Sequence, residues 1–278
     1  MARRGRRRSA SRPGSGKTLR WFGIGIFGVA LLALVAGFGI ITLRAYQNNP
    51  TLLSDLCPET GPIAQTLVLL DTTDPWPALT QTDVESRLHD VRDGLKKGEL
   101  LQLNLLDPPT MSAKTVFSQC NPGDGSDLDD VTGNPRMARE RWAADFDKPL
   151  EAALASSVAT GQADSSPIMG GIQKIAVDRL GTAKQRSVPT HYVVISDMLE
   201  HTQYFSSYKS GADFAAFKAS DASRRFATDL AGAKTEVWIV QRPKEPAATR
   251  DLAEFWASWV AANNGSFEKA VLLQGVAP

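Results

Sequence analysis

The apolar positions of this chain fall into one long run followed by short, regularly spaced ones. Trp21 to Leu43 is 23 residues without a charge. About 20 apolar helical residues span the roughly 30 Å hydrocarbon core of a bilayer. A cleaved signal peptide has a shorter apolar core and a small-residue cleavage site, and Leu43-Arg44-Ala45-Tyr46 is a poor one. The run therefore predicts an uncleaved transmembrane helix over 21–43, with Trp21 and Tyr46 at its two edges. Its many glycines and Ala33/Gly37 offer a small-residue face for pairing with another helix.

Beyond a linker over 44–64, the pattern changes to short runs. Thr66 to Leu70 is wholly apolar after its first residue and ends in Asp71, as a buried central strand does. Val84, Leu88, Val91 and Leu95 recur at helical spacing within Thr82–Lys97. Leu100–Leu106 reads as a second strand and Thr115–Cys120 as an edge strand. A polar loop, 121–135, leads to a helix over Arg136–Val158 that Pro149 breaks or kinks. Ser166-Pro167 opens a helix to about Val177. His191–Ile195 and Glu236–Val240 read as strands. Asp221–Ala231 reads as a helix, as does the stretch carrying Leu252, Phe255, Trp256, Trp259 and Val260. Ala270–Leu273 is a last strand. Strands alternating with helices predict an α/β fold: a doubly wound, mostly parallel sheet with helices on both faces over 65–278, preceded by one transmembrane helix.

Charge sets the topology. Eight basic residues, Arg3 to Arg20, precede any acidic one, and basic flanks stay cytoplasmic. The arm over 1–20 is thus expected inside and the C-terminal domain outside, in the periplasm of a bacterial envelope. Beyond Arg44 there remain 22 Lys and Arg against 30 Asp and Glu, a formal charge of −8. That acidity excludes a nucleic-acid binder by charge. Cys57 and Cys120 are expected to pair in such an oxidising space. The Gly14-Ser15-Gly16-Lys17-Thr18 stretch lacks the first glycine and the preceding strand of a phosphate-binding loop, and is set aside.

Ligands of doubly wound sheets bind beyond the carboxyl ends of the strands. Three polar groups fall there: Asp71-Thr72-Thr73-Asp74-Pro75, Ser165-Ser166-Pro167 and Ser196-Asp197. On these motifs and the element order, the chain from about Gln65 to Gly275 resembles a von Willebrand factor A-type domain, the fold of integrin inserted domains. The resemblance implies a metal-ion-dependent adhesion site holding Mg²⁺ or Mn²⁺. Asp71 matches its first aspartate, Thr73 its first hydroxyl, Ser166 its threonine and Asp197 its last aspartate. Pro75 stands where the Asp-x-Ser-x-Ser loop has its last hydroxyl, so the site is read as degenerate. The same residues serve equally as loop, helix and turn caps.

Two further segments are partner-binding candidates. One is the acidic loop with Asp124, Asp127, Asp129 and Asp130, also readable as a solvated loop. The other is His201–Ser210, where Tyr204, Phe205 and Tyr208 sit either at the site rim or in the core. The expected function is a membrane-anchored protein-binding or scaffold module of an envelope complex. It would contact the lipid bilayer, other envelope proteins and, through the membrane helix, a further copy or another chain. A metal-dependent, phosphatase-like hydrolase and a metal-free structural subunit are the alternatives. Asp71-Thr72-Thr73 lacks the second aspartate of an Asp-x-Asp nucleophile motif, and the chain has no Gly-x-Ser-x-Gly elbow.

Overall fold

A computed structural model describes residues 28–40, 42, 52–128, 134–157, 163–242 and 248–276. The chain divides into two units, Met1–Pro50 and Thr51–Pro278. In the first, residues 28–40 form helix α1. Its large apolar side chains are exposed, Leu32, Leu34 and Phe38 among them. Among the described residues, no helix is long and apolar enough to cross a membrane. The span expected over 21–43 lies partly outside them.

The second unit is built on a six-stranded sheet of order β3-β2-β1-β4-β5-β6. Its strands are β1 (Gln65–Leu70), β2 (Leu100–Asp107), β3 (Ser112–Cys120), β4 (Thr190–Ser196), β5 (Lys234–Gln241) and β6 (Ser266–Val276). All pairings are parallel except β2 with β3. The helices are α2 (Ala78–Gly94), α3 (Pro135–Trp142), α4 (Lys148–Ser157), α5 (Ile168–Leu180), α6 (Ala183–Arg186), α7 (Ser207–Ser210), α8 (Phe214–Ala219), α9 (Ala222–Arg225) and α10 (Thr249–Ala262).

The period of two along each strand builds two cores. Leu67, Leu69, Tyr192, Val194, Val237 and Ile239 pack on one face with α5 and α10. Val68, Leu70, Val193, Ile195, Trp238 and Val240 pack on the other with α2 and α4. This is why the β1 run is apolar at consecutive positions: both faces are covered. Each such side chain contributes about 1.5–3 kcal/mol on full burial.

Helix α5 lies close to the sheet because its third and fourth residues, Gly170 and Gly171, are glycines. A Cβ on Gly170 would sit 2.3 Å from the Met111 carbonyl oxygen, and one on Gly171 would sit 2.7 Å from Leu106 Cδ1. The close approach brings the start of α5, and Ser166 just before it, to the end of β1.

Three expectations change. The linker over 44–64 is folded chain from its latter half: Leu53 N–H donates to the Cys57 carbonyl, and Cys120 N–H to the Asp55 carbonyl. The Cys57–Cys120 disulfide, expected from the compartment, fastens this segment beside Leu100. The helix expected over 136–158 is interrupted by a π-turn at Ala143–Asp147. That wider turn precedes Pro149, whose ring cannot sit over a regular preceding turn. Finally, Asp221–Ala231 is helical only at α9. Asn263 draws the rest into a loop, its side chain accepting from Thr228 N–H and its carbonyl from Leu230 N–H. The helix in this region is α8 instead, whose first turn is capped by Asp213 through Ala215 and Ala216 N–H.

Candidate functional site

The sheet reverses its winding between β1 and β4, so their carboxyl ends flank a crevice. There Asp71 is the hub. It follows the last residue of β1, and its own N–H donates to the Ile195 carbonyl of β4. Its Oδ1 accepts from Thr73 N–H (3.1 Å) and Thr73 Oγ1 (2.6 Å). Its Oδ2 accepts from Ser166 Oγ (2.8 Å) and Ser196 Oγ (2.7 Å). All four residues are buried. The Ser166 loop is tied on the other side by paired backbone hydrogen bonds with His201, each 2.9 Å. Thr73, Ser166 and Ser196 thus meet at Asp71, and Asp197 follows Ser196 directly.

Asp197 begins the loop after β4. Its Oδ1 accepts from Leu199 N–H at 3.0 Å, closing a turn in which Met198 has φ of 62°. Its Oδ2 receives Arg242 Nε at 3.2 Å, and Arg242 Nη2 reaches Asp74 Oδ2 at 3.0 Å. Arg242 follows β5, so one guanidinium ties the ends of three strands. Burial lifts the Asp197 carboxyl above the usual carboxylate range, with the Asp71 charge adding to the lift; Leu199 N–H and Arg242 oppose it.

Ser166 does not cap α5. That task falls to Glu200, whose Oε2 accepts from Met169 N–H at 2.9 Å. Glu200 is fully buried and its Oε1 has no partner. Burial pushes its pKa up to about 8, against the pull of the α5 N–H groups. Folding therefore binds a proton that the unfolded carboxyl has lost, between about pH 4.5 and 8. The stabilisation belongs to the low-pH side and is lost as pH rises through 8, at a slope of up to about 1.4 kcal/mol per pH unit. Glu200→Gln keeps an acceptor for Met169 and carries no charge. Its urea midpoint is expected to fall less steeply than the parent's over this window, with Asp197 still titrating in its lower part, and to exceed the parent's at pH 8.5. A parallel pair of pH profiles would refute the buried proton.

A cleft of about 270 Å³ opens over this hub, lined among others by Thr73, Asp74, Ser166, Asp197, His201 and Tyr208. Tyr208 is 53% exposed and meets the His201 ring edge-on at 5.2 Å. Of the three aromatics of this loop, only Tyr208 stands at the rim. Phe205 is 5% exposed and stacks on Phe255 in the core. Tyr204 is half-buried, against Phe226 and under the Arg225 guanidinium. Their apolar neighbours on α8, α9 and α10 take them inward, and Tyr208 on α7 is left at the rim. His201 Nδ1 shares a hydrogen bond with Ser206 Oγ at 2.9 Å, and Ser206 is buried outside the cleft lining.

The acidic loop is elsewhere. It leaves the sheet after Cys120, which pairs with the first residue of β2, at the end opposite the hub. Asp124 and Asp127 line a second cleft there with Arg92, Lys96, Lys97 and Trp142. Asp124 closes its own turn by accepting from Ser126 N–H, which holds its carboxyl below the usual range. Asp129 and Asp130 lie outside the described residues.

The donor set fits a divalent ion poorly. Both oxygens of Asp71 are spent on hydroxyl and amide donors, and Asp74 and Asp197 are ion-paired to Arg242. Among the described residues, no three His, Cys, Asp or Glu side chains are grouped to hold a metal. Sequence reasoning passed over Arg242 and Glu200. The signals were small: a basic residue directly after a buried strand, and a lone acid beside Met198-Leu199.

The chain matches no known family model and no curated protein. Among solved structures it is similar to an aerotolerance-related membrane protein from Bacteroides fragilis, carrying multiple mutations to serine. The two are 15% identical over 76% of this chain and 92% of that one, with a TM-score of 0.36. The likeness is too distant to carry a functional argument.

Proposed function

We propose that this chain is a membrane-anchored, exported scaffold module that docks another envelope protein at the cleft over Asp71. The observation that carries the reading is the cleft itself: a rigid polar floor at the strand ends with one exposed aromatic, Tyr208, at its rim. Exposed tyrosine beside a pre-formed pocket is the composition of a protein contact. The hub hydrogen bonds fix the floor before a partner arrives, which lowers the ordering cost of binding. Anchorage is supported by the 23-residue uncharged run, its basic flank and the exposed apolar face of α1. An exported location is supported by the disulfide.

Turnover is not part of the reading. The hydroxyls of Thr73 and Ser166 donate to Asp71, and His201 is engaged with Ser206, so these three side chains are committed to holding the cleft floor. A photo-crosslinking residue at Tyr208 in the full-length chain, in its own membrane, tests the reading. Lys234, exposed at the other end of the sheet, is the control. A discrete adduct from position 208 that position 234 does not give is expected. No adduct at 208, or the same products from both, would count against docking at this cleft.

A further inference from the structure

We infer that Arg242 is the built-in cation of the carboxylates at these strand ends, and takes the place that a divalent ion would need. The inference concerns the floor of the cleft and stands whether or not a protein docks above it.

The argument begins with charge. Asp71 and Asp74 lie in the loop after β1 and Asp197 in the loop after β4; Ser196 Oγ stands 2.7 Å from Asp71 Oδ2 and 3.5 Å from Asp197 Oδ1, and Asp74 and Asp197 share Arg242. Three carboxylates so placed repel one another and call for a cation. A divalent ion would need free oxygen lone pairs from at least two of them, with waters completing its shell. The chain supplies a guanidinium instead. Arg242 leaves the adjacent strand β5 and places Nε on Asp197 and Nη2 on Asp74, at 3.2 and 3.0 Å. Its planar fork suits two carboxylates at once, and it does not lose its proton in proteins. The Arg242 and Asp197 side chains are 20% and 6% exposed, so the pair is largely removed from solvent screening.

Two features of the local sequence agree. Pro75 removes the last hydroxyl donor of the first loop, and the residue before it, Asp74, turns to Arg242 rather than inward to a shared ion. The hydroxyls of Thr73, Ser166 and Ser196 all donate to Asp71, which neutralises much of its demand for a cation. A metal could enter only by displacing the guanidinium from both partners.

The test is Mn²⁺ binding by the purified full-length chain in detergent, followed by electron paramagnetic resonance and by melting with Mn²⁺ or EDTA. The parent is expected to show no stoichiometric binding at about 1 mM Mn²⁺ and the same Tm in both. Arg242→Ala and Arg242→Gln each bare the carboxylates. They are expected to gain one site with Kd of about 10⁻⁴–10⁻³ M, and a Tm rise of about 3–5 °C at ten times Kd. Arg242→Lys keeps a cation there and is expected to remain silent. Stoichiometric Mn²⁺ on the parent, lost in Asp197→Asn, would overturn the inference, and this arm does not depend on the arginine variants folding. Folded arginine variants that bind no Mn²⁺ would overturn it equally, since the position would then not be a cation site.

Discussion

Asp71→Ala is expected to lower the stability of the folded unit by about 3 kcal/mol, the largest effect of any single substitution at the site. The side chain accepts four hydrogen bonds from three hydroxyls and one N–H, all in buried residues. Each buried donor left without an acceptor costs about 1–3 kcal/mol, and hydroxyls recover part of that by rotating to other acceptors. One term opposes the loss. The Asp71 charge raises the carboxyls of Asp197 and Glu200, so its removal relieves both. Asp71→Asn separates the contributions. It keeps one oxygen for Thr73 and presents an amide to Ser166 and Ser196, whose hydroxyls can accept as well as donate. About 1–2 kcal/mol is expected for it. Urea unfolding of the full-length chain, read by tryptophan fluorescence, measures both. Trp76 is a local reporter, since its Nε1–H donates to the Asp71 carbonyl. If Asp71→Ala unfolds at the parent's midpoint, the hub is ornamental to the fold and the cleft floor is not fixed by it.

Much of this hub was legible because it depends on where strands end. An apolar run covered on both faces must be a central strand, and the polar residue that stops it must stand at the sheet's carboxyl edge. That logic found the stretches Asp71–Pro75 and Ser196-Asp197 from their neighbours, and Ser165-Ser166 from the proline that precedes α5; the resemblance to a known family then singled out Asp71, Thr73, Ser166 and Asp197 within them. What it missed depends on direction in space. A serine before a helix suggests a cap, yet the two glycines at the start of α5 draw the helix onto the sheet, Ser166 turns to Asp71, and Glu200 takes the cap. Tyr204, Phe205 and Tyr208 share one loop, and only the packing of α8 and α10 decides which of them is left outside. Arg242 meets Asp74 and Asp197 across 168 and 45 positions of sequence respectively. No local period carries such a pairing. The helix expected over Asp221–Ala231 failed for a similar reason, because Asn263, more than thirty positions away, supplies the loop's hydrogen bonds.

Removing the disulfide is expected to cost about as much as removing the hub, by an unrelated route. Cys57 and Cys120 are 63 positions apart, and a loop of that length contributes about 4 kcal/mol when closed, chiefly by restricting the unfolded chain. Both sulfurs are buried beside Leu100, so Cys57→Ala with Cys120→Ala, or a reductant, should lower the Tm by about 10 °C. The local consequence is sharper. Without the bond, the segment from Leu52 to Ile63 is held to the sheet by few backbone contacts, among them Cys120 N–H to Asp55 and Ile63 N–H to Gly98. The segment should exchange its amide hydrogens and be cut by protease well before the sheet opens. This is the stretch that joins the folded unit to α1. In an anchored protein the disulfide would move the mechanical attachment from the first strand to the firm edge where β2 meets β3. It would also make that attachment conditional on an oxidising compartment. A melt that ignores reductant, with the 52–63 amides as protected as before, would remove the disulfide from this account and weaken the case for export with it.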